Sequence, residues 1–181
     1  SQQSEAPWDY VLMFFANMAD EGLTILPAHR LVRGLPENSL NMLSENFDID
    51  SISLSDNIVE KISGGSHSIG FYQGGDRQHV LRYKGSGIAD LHPSLKGLDV
   101  TILHELIFKK LLGITDISYE MDPEETLGRV RNGLCDAAFF LNPTRVEDVE
   151  RVALSGVRMP PKSTYFYPKL LTGMVIYKFR D

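Results

Sequence analysis

One cysteine, Cys135, and one tryptophan are all that the 181 residues contain of either type. A lone thiol excludes an intrachain disulfide framework and a thiolate-based structural zinc site. It fits a reducing compartment, so a cytoplasmic setting is expected. Long apolar runs are missing too. The longest, "YVLMFFANM" (Tyr10–Met18), is about half of the roughly 20 residues a membrane-spanning helix needs, so it reads as a buried strand and no membrane role is expected.

Several reactive signatures are absent. There is no G-x-S-x-G nucleophile elbow, and "SGVRMPPKS" holds no S-x-x-K, so β-lactamase-like chemistry has no support. "LHELI" is not H-E-x-x-H, because Phe108 stands four residues after His104; a zincin site is excluded on spacing. Five histidines scattered over the chain (His29, His67, His79, His92, His104) and one cysteine offer no metal set, and none is assigned. No cofactor is assigned either. Internal repeats and low-complexity tracts are lacking.

Positive charge is scarce and unevenly spread. The net charge is −6, which argues against a general nucleic-acid binder. Residues 157–181 carry Arg158, Lys162, Lys169, Lys178 and Arg180 against Asp181 alone, a local +4, leaving −10 on the rest. The basic stretch "RMPPKSTYFYPK" (Arg158–Lys169) combines those cations with adjacent Ser163 and Thr164 hydroxyls and three aromatics. A lysine beside a hydroxyl residue is a common way to hold phosphate. A Walker A loop is excluded, since Pro160 and Pro161 supply neither amide N–H groups nor positive φ angles. What remains is a looser oxyanion site using Arg158, Lys162, Ser163, Thr164 and Lys169. The rival reading is a non-catalytic structural or interaction domain: a rigid Pro-Pro connector whose hydroxyls satisfy local backbone and whose aromatics pack on a sheet, with the basic C-terminal segment docked on acidic protein surface.

His29-Arg30 follows Pro27 at a strand end. An imidazole there can titrate near neutral pH and a guanidinium can fork onto a carboxylate or phosphate, so the pair joins the candidate ligand-binding set; a solvated turn is the alternative. His104 falls on the apolar face of a 100° wheel and reads as a hydrogen-bonded core residue. His67 and His79 read as structural or exposed, and Cys135 as an inert thiol.

The element signals are mostly local. "HSIGFYQGGDRQHVLRYK" (His67–Lys84) is a β-hairpin around Gln73–Asp76. Val100–Gly113 is a helix capped by Asp99 and stopped by Gly113. Further helices are expected from Pro36 through Phe47, over Ser55–Ile62 with Ser55 as cap, over Asp122–Gly133, and over Thr144–Ser155 with a Thr144–Glu147 capping box. Strands are expected at Tyr10–Met18, Thr24–Leu26, Leu31–Val32, Ile117–Glu120, Ala137–Leu141 and Met174–Phe179. Together they predict an α+β fold with a mixed, largely antiparallel sheet flanked by helices. A single domain spanning 1–181 is expected.

Four segments, "LTILPAHRLVRGL", "HSIGFYQGG…VLRYK", "LDVTILHELIFKKLLGI" and "MPPKSTYFYPKLLTGMVI", resemble in order the bacterial and archaeal DUF1015 family of unknown function. The resemblance implies that this chain corresponds to the C-terminal portion of longer members. Their N-terminal portion carries a "DGHHR"-type motif similar to nucleotide-using relatives of ParB and sulfiredoxin, and that motif is absent here. The start at Ser1, close before an apolar run, also reads as a piece of a longer protein. The implied partners are therefore a phosphorylated small molecule or nucleotide and the N-terminal portion of the intact protein, with phosphoryl transfer as the reaction class that the analogy suggests.

Overall fold

A computed structural model describes residues 6–17, 20 and 22–178. The described residues fall into two compact units: Ile25–Tyr165, and a smaller one made of the described parts of Ser1–Thr24 and Phe166–Asp181.

The elements in chain order are β1 (Thr24–Leu26), β2 (His29–Arg33), α1 (Ser39–Ser44), β3 (Phe47–Ser53), α2 (Ile58–Ile62), β4 (Ser68–Tyr72), β5 (Arg77–Tyr83) and α3 (Pro93–Lys96). There follow α4 (Asp99–Thr101), which runs on into a π-helical segment Ile102–Leu112, then β6 (Asp116–Glu120), α5 (Pro123–Arg131), β7 (Ala137–Phe140), α6 (Val146–Leu154) and β8 (Tyr165–Tyr167). Six strands form one sheet in the order β3-β5-β4-β7-β2-β6, with antiparallel pairing throughout; β1 and β8 form a two-stranded sheet. The class is α+β.

Why β7 reads as an unbroken apolar run becomes clear from its two faces. Successive side chains of a strand point to opposite sides. Ala137 and Phe139 enter one core, with Leu43 of α1, Val152 of α6 and Leu103, Ile107 and Phe108 of the π-helical segment. Ala138 and Phe140 enter the other, with Ile58 and Ile62 of α2 and Leu127 and Val130 of α5. Helices therefore cover both faces, which removes the polar alternation of a half-solvated sheet.

Local signals held where their partners are close in sequence. The hairpin forms as β4 and β5. Asp122 caps α5 by accepting from the Glu125 N–H at 2.9 Å, and Gly113 stops the long helix with φ of 65°. Other expectations are corrected. The helix expected from Pro36 through Phe47 is shorter at both ends: it runs over Ser39–Ser44, and Phe47 begins β3, which the sequence reading missed because it pairs along its length with β5. Asn57, not Ser55, caps α2, accepting from the Val59 and Glu60 N–H groups at 3.1 and 3.3 Å. Asp99 is the first helical residue rather than the cap, and Leu98 takes the cap position. Thr144 forms no capping box. Arg145 is the N-cap of α6, and the Thr144 hydroxyl is used elsewhere.

The strands expected at Tyr10–Met18 and Met174–Phe179 do not form over the described residues 10–17 and 174–178; Met18 and Phe179 lie outside the described residues. Their apolar side chains are exposed, Phe15 at 82% and Ile176 at 76%. A strand needs a neighbour to take its backbone N–H and C=O groups, whatever its side-chain propensity. Among the described residues no helix is long and apolar enough to cross a membrane.

Gly70 shows how tightly α2 sits on the sheet. A Cβ there would lie 2.6 Å from Ile58 Cγ1 and 3.0 Å from Phe140 Cβ. Gly70→Ala is expected to lower the unfolding free energy by about 1–3 kcal/mol through overpacking. Urea denaturation would measure it, and an unchanged midpoint would mean that α2 lifts off the sheet without penalty.

Candidate functional site

Arg30 lies on β2, a central strand, and its side chain is 1% exposed. Its guanidinium donates to three acceptors, one local and two from distant parts of the chain. Nη1 bonds the Ala28 carbonyl, Nη2 the Lys162 carbonyl at 2.9 Å, and Nε the His104 Nε2 at 3.3 Å. Tyr119, its register partner on β6, places its ring centroid 5.3 Å from Cζ. No carboxylate among the described residues forms an ion pair with it. Burial lowers its pKa to about 10, opposed by Tyr119, so it remains a cation at neutral pH.

The two neighbouring histidines are kept neutral. His104, on the π-helical segment, has its pKa lowered to about 4 by burial, then by Arg30 and Lys109. A neutral ring is what the Arg30 bond requires, since Nε2 must accept. His29 is lowered to about 4 by burial, then by Arg30. Its Nδ1 accepts from the Leu141 N–H at 3.4 Å, and its ring tilts against Phe140 with centroids 5.0 Å apart. A π-helix is rare and often marks a functional site. Here it alters the 100° wheel on which His104 was placed, yet leaves that residue buried at 7% exposure.

The Met159–Thr164 corner is tied down on two sides. The Thr144 hydroxyl donates to the Ser163 carbonyl at 2.8 Å, and the Ser163 hydroxyl donates to the Pro160 carbonyl at 2.6 Å. Lys162 stands in left-handed backbone at φ 56°, a conformation that costs a non-glycine residue on the order of 1 kcal/mol or more and persists only where the surroundings hold it. The Arg30 bond to its carbonyl is one such restraint. The side chains of Arg158 and Lys162 are exposed, while Ser163 and Thr164 are half-buried.

Of the seven residues singled out from sequence, Arg30 and Lys162 are brought into contact, with His29 adjoining Arg30 on β2. Both β2 residues are buried. Lys169 belongs to the smaller unit. The sequence reading missed Thr144 as a tether, and it missed a hydrogen bond between His67 Nδ1 and Asp99 Oδ1 at 3.0 Å. Burial raises the Asp99 carboxyl, with the His67 hydrogen bond opposing. No local signal links these two residues; only the packing of the hairpin against α4 does.

The chain belongs to the DUF1015 family. The family profile described as "Protein of unknown function (DUF1015)" matches residues 1–101, so it includes the first β-rich segments and the hairpin but not the Met159–Thr164 corner. No curated protein matched the chain. Among solved structures it is similar to a conserved hypothetical protein from Pyrococcus furiosus, at 18% identity and a TM-score of 0.52 over 83% of this chain and 59% of that one. It is likewise similar to a free serine kinase in complex with AMP, at 16% identity and a TM-score of 0.52 over 83% of this chain and 56% of that one. A variant of that kinase in complex with ADP matches at 14% identity and a TM-score of 0.51, with 83% and 56% covered. At these identities the likeness establishes the fold. The chain spans between 56% and 59% of the length of these structures.

Proposed function

We propose that this chain holds the phosphate or carboxylate of a small molecule or nucleotide at the Met159–Thr164 corner. In this reading Arg158 and Lys162 supply the accessible cations, and Ser163 and Thr164 supply polar backbone and hydroxyl groups. Arg30, with His29 beside it, is the buried base of the site. The observation that carries the reading is the 2.9 Å bond from Arg30 to the Lys162 carbonyl. It joins a buried cation lacking a carboxylate partner among the described residues to a strained, exposed lysine. An anion is favoured near such a pair because low surrounding dielectric strengthens its attraction. The AMP and ADP complexes of similarly folded kinases are compatible with a nucleotide as that anion.

We also infer that the rest of a longer protein completes the assembly. The exposed apolar stretches Tyr10–Phe15 and Met174–Ile176 have the composition of strands awaiting partners, and the length relation to the solved structures supports this. A second reading, a structural or interaction domain with a fixed corner, is favoured by one observation. The Ser163 hydroxyl and carbonyl and the Lys162 carbonyl are all engaged within the chain.

Thermal-shift titration with inorganic phosphate, AMP and ADP separates the two. A ligand at 100 times its Kd adds about 2.7 kcal/mol, roughly 5–10 °C for a chain of this size. Lys162→Gly is the chosen control, because glycine accepts the positive φ and keeps the carbonyl that Arg30 bonds while removing the ammonium. A shift present in the parent and lost in this variant supports the anion site. A flat screen in which Lys162→Gly keeps or raises the melting temperature favours the structural corner.

A further inference from the structure

Within the unit Ile25–Tyr165, two cavities of about 520 and 580 Å³ adjoin, and His67 and Gly97 line both. Neither is lined by Arg158, Lys162, Ser163 or Thr164. His67 follows the Gly64-Gly65 loop and adopts left-handed backbone at φ 53°, a strained choice for this residue type. Its surroundings hold it there: Nδ1 bonds the half-buried Asp99 carboxyl group, and its ring meets Tyr83 edge-on at 6.3 Å. In a neutral imidazole, a carboxylate on Nδ1 selects the tautomer with the proton at that nitrogen, which leaves Nε2 as the acceptor.

The two cavities differ in charge. The second is lined by Lys84, Lys96 and His67, with no Asp or Glu among its lining residues. The ammonium groups are held in place: Lys84 Nζ donates to the Ser44 carbonyl at 2.8 Å and lies 3.5 Å from Asp48, while Lys96 Nζ donates to the Ala89 carbonyl at 2.7 Å. The first cavity is lined by Asp99, Asn142, Arg145 and Asp148. There Asp148 is neutralised by Arg145 at 2.8 Å and Arg151 at 2.9 Å. One end thus offers Lys96 and the Asp48-paired Lys84, the other the Asp148 ion pairs and hydrogen-bonding groups, and the His67 imidazole stands between them.

We propose that these cavities form one ligand site for a sugar phosphate or a comparable anionic polyol. Lys84 and Lys96 take the phosphate, His67 Nε2 accepts from a hydroxyl near the phosphate, and Asp99 and Asn142 bond the remaining hydroxyls. Cavities of several hundred Å³ with a few convergent polar groups are of the right size for such a ligand. His67 acts as a positioning residue whose orientation depends on Asp99.

The test is isothermal titration of the 181-residue chain with ribose 5-phosphate, ribose and inorganic phosphate. Variants are Lys84→Gln/Lys96→Gln, which keep hydrogen-bond donors for the carbonyls, and His67→Asn, since asparagine tolerates left-handed backbone. Ribose 5-phosphate is expected to bind more tightly than either fragment. Binding should weaken at least tenfold in His67→Asn and fall below detection in the double lysine variant. Absence of saturable ribose 5-phosphate binding by the parent chain overturns the proposal. So does binding that survives the cleft variants but disappears in Lys162→Gly, which assigns the ligand to the Met159–Thr164 corner instead. Inorganic phosphate binding as tightly as ribose 5-phosphate overturns the role given to Asp99, Asn142 and His67.

Discussion

Arg30→Ala is expected to destabilise the chain by about 3–5 kcal/mol, a fall in melting temperature of roughly 10 °C. Two opposing effects decide the magnitude. Removing the guanidinium relieves the desolvation of a buried cation, a favourable change. It also leaves the Ala28 and Lys162 carbonyls and His104 Nε2 without their donor, and it opens a cavity against Tyr119. Each buried acceptor left unsatisfied costs about 1–3 kcal/mol, and the lost volume adds to that, so the losses win. Arg30→Met separates the parts. It restores most of the volume but none of the donors, so it should recover the cavity contribution only. Because Lys162 depends on this bond for its left-handed backbone, proteolysis within Met159–Thr164 should also speed up in Arg30→Ala. An unchanged urea midpoint for Arg30→Ala would show that the bond to Lys162 contributes nothing to the corner.

The second large effect is acid sensitivity from two buried histidines. His29 and His104 each have a folded pKa of about 4 against an ordinary value of 6.5. The unfolded chain therefore binds more protons than the folded one between those values, and stability falls as pH falls through that window. Above pH 6.5 both states are neutral at these sites and the full stability is present. Below about pH 4 both states are protonated and the loss levels off. At 1.36 kcal/mol per pKa unit, each histidine contributes a loss of about 3 kcal/mol across the window. Urea midpoints at pH 7, 5.5 and 4 would measure it. His104→Gln should flatten the curve by about half, since glutamine keeps an acceptor for Arg30 and does not titrate. A stability that is level from pH 7 to 4 would mean that neither imidazole is held neutral by the fold.

The elements legible in the sequence were those whose chemistry is local. The Asp122 cap and the Gly113 stop involve groups within a few residues of one another, the His67–Lys84 hairpin pairs strands joined by one short turn, and all three formed as the residues indicated. Expectations failed where a distant partner competed for the same group. Thr144 had the spacing of a capping box with Glu147, but its hydroxyl donates to Ser163, 19 positions away. Phe47 continued a helical pattern, but β5 claimed its backbone for a strand. The stretch Tyr10–Met18 has strand composition, yet composition supplies no neighbouring strand for its backbone.

The candidate site divides in the same way. The amino-acid sequence alone established the single thiol, the α+β class through its local strand and helix signals, the one basic region in an acidic chain, and the residues worth testing there. Only the tertiary structure decided the strand order, which buried His29 and Arg30. It also joined Arg30 to His104 across 74 positions and to Lys162 across 132, and it paired His67 with Asp99 across 32. The physical reason is that a buried polar group must find a partner wherever packing provides one, and chain packing sets that partner independently of its separation in sequence.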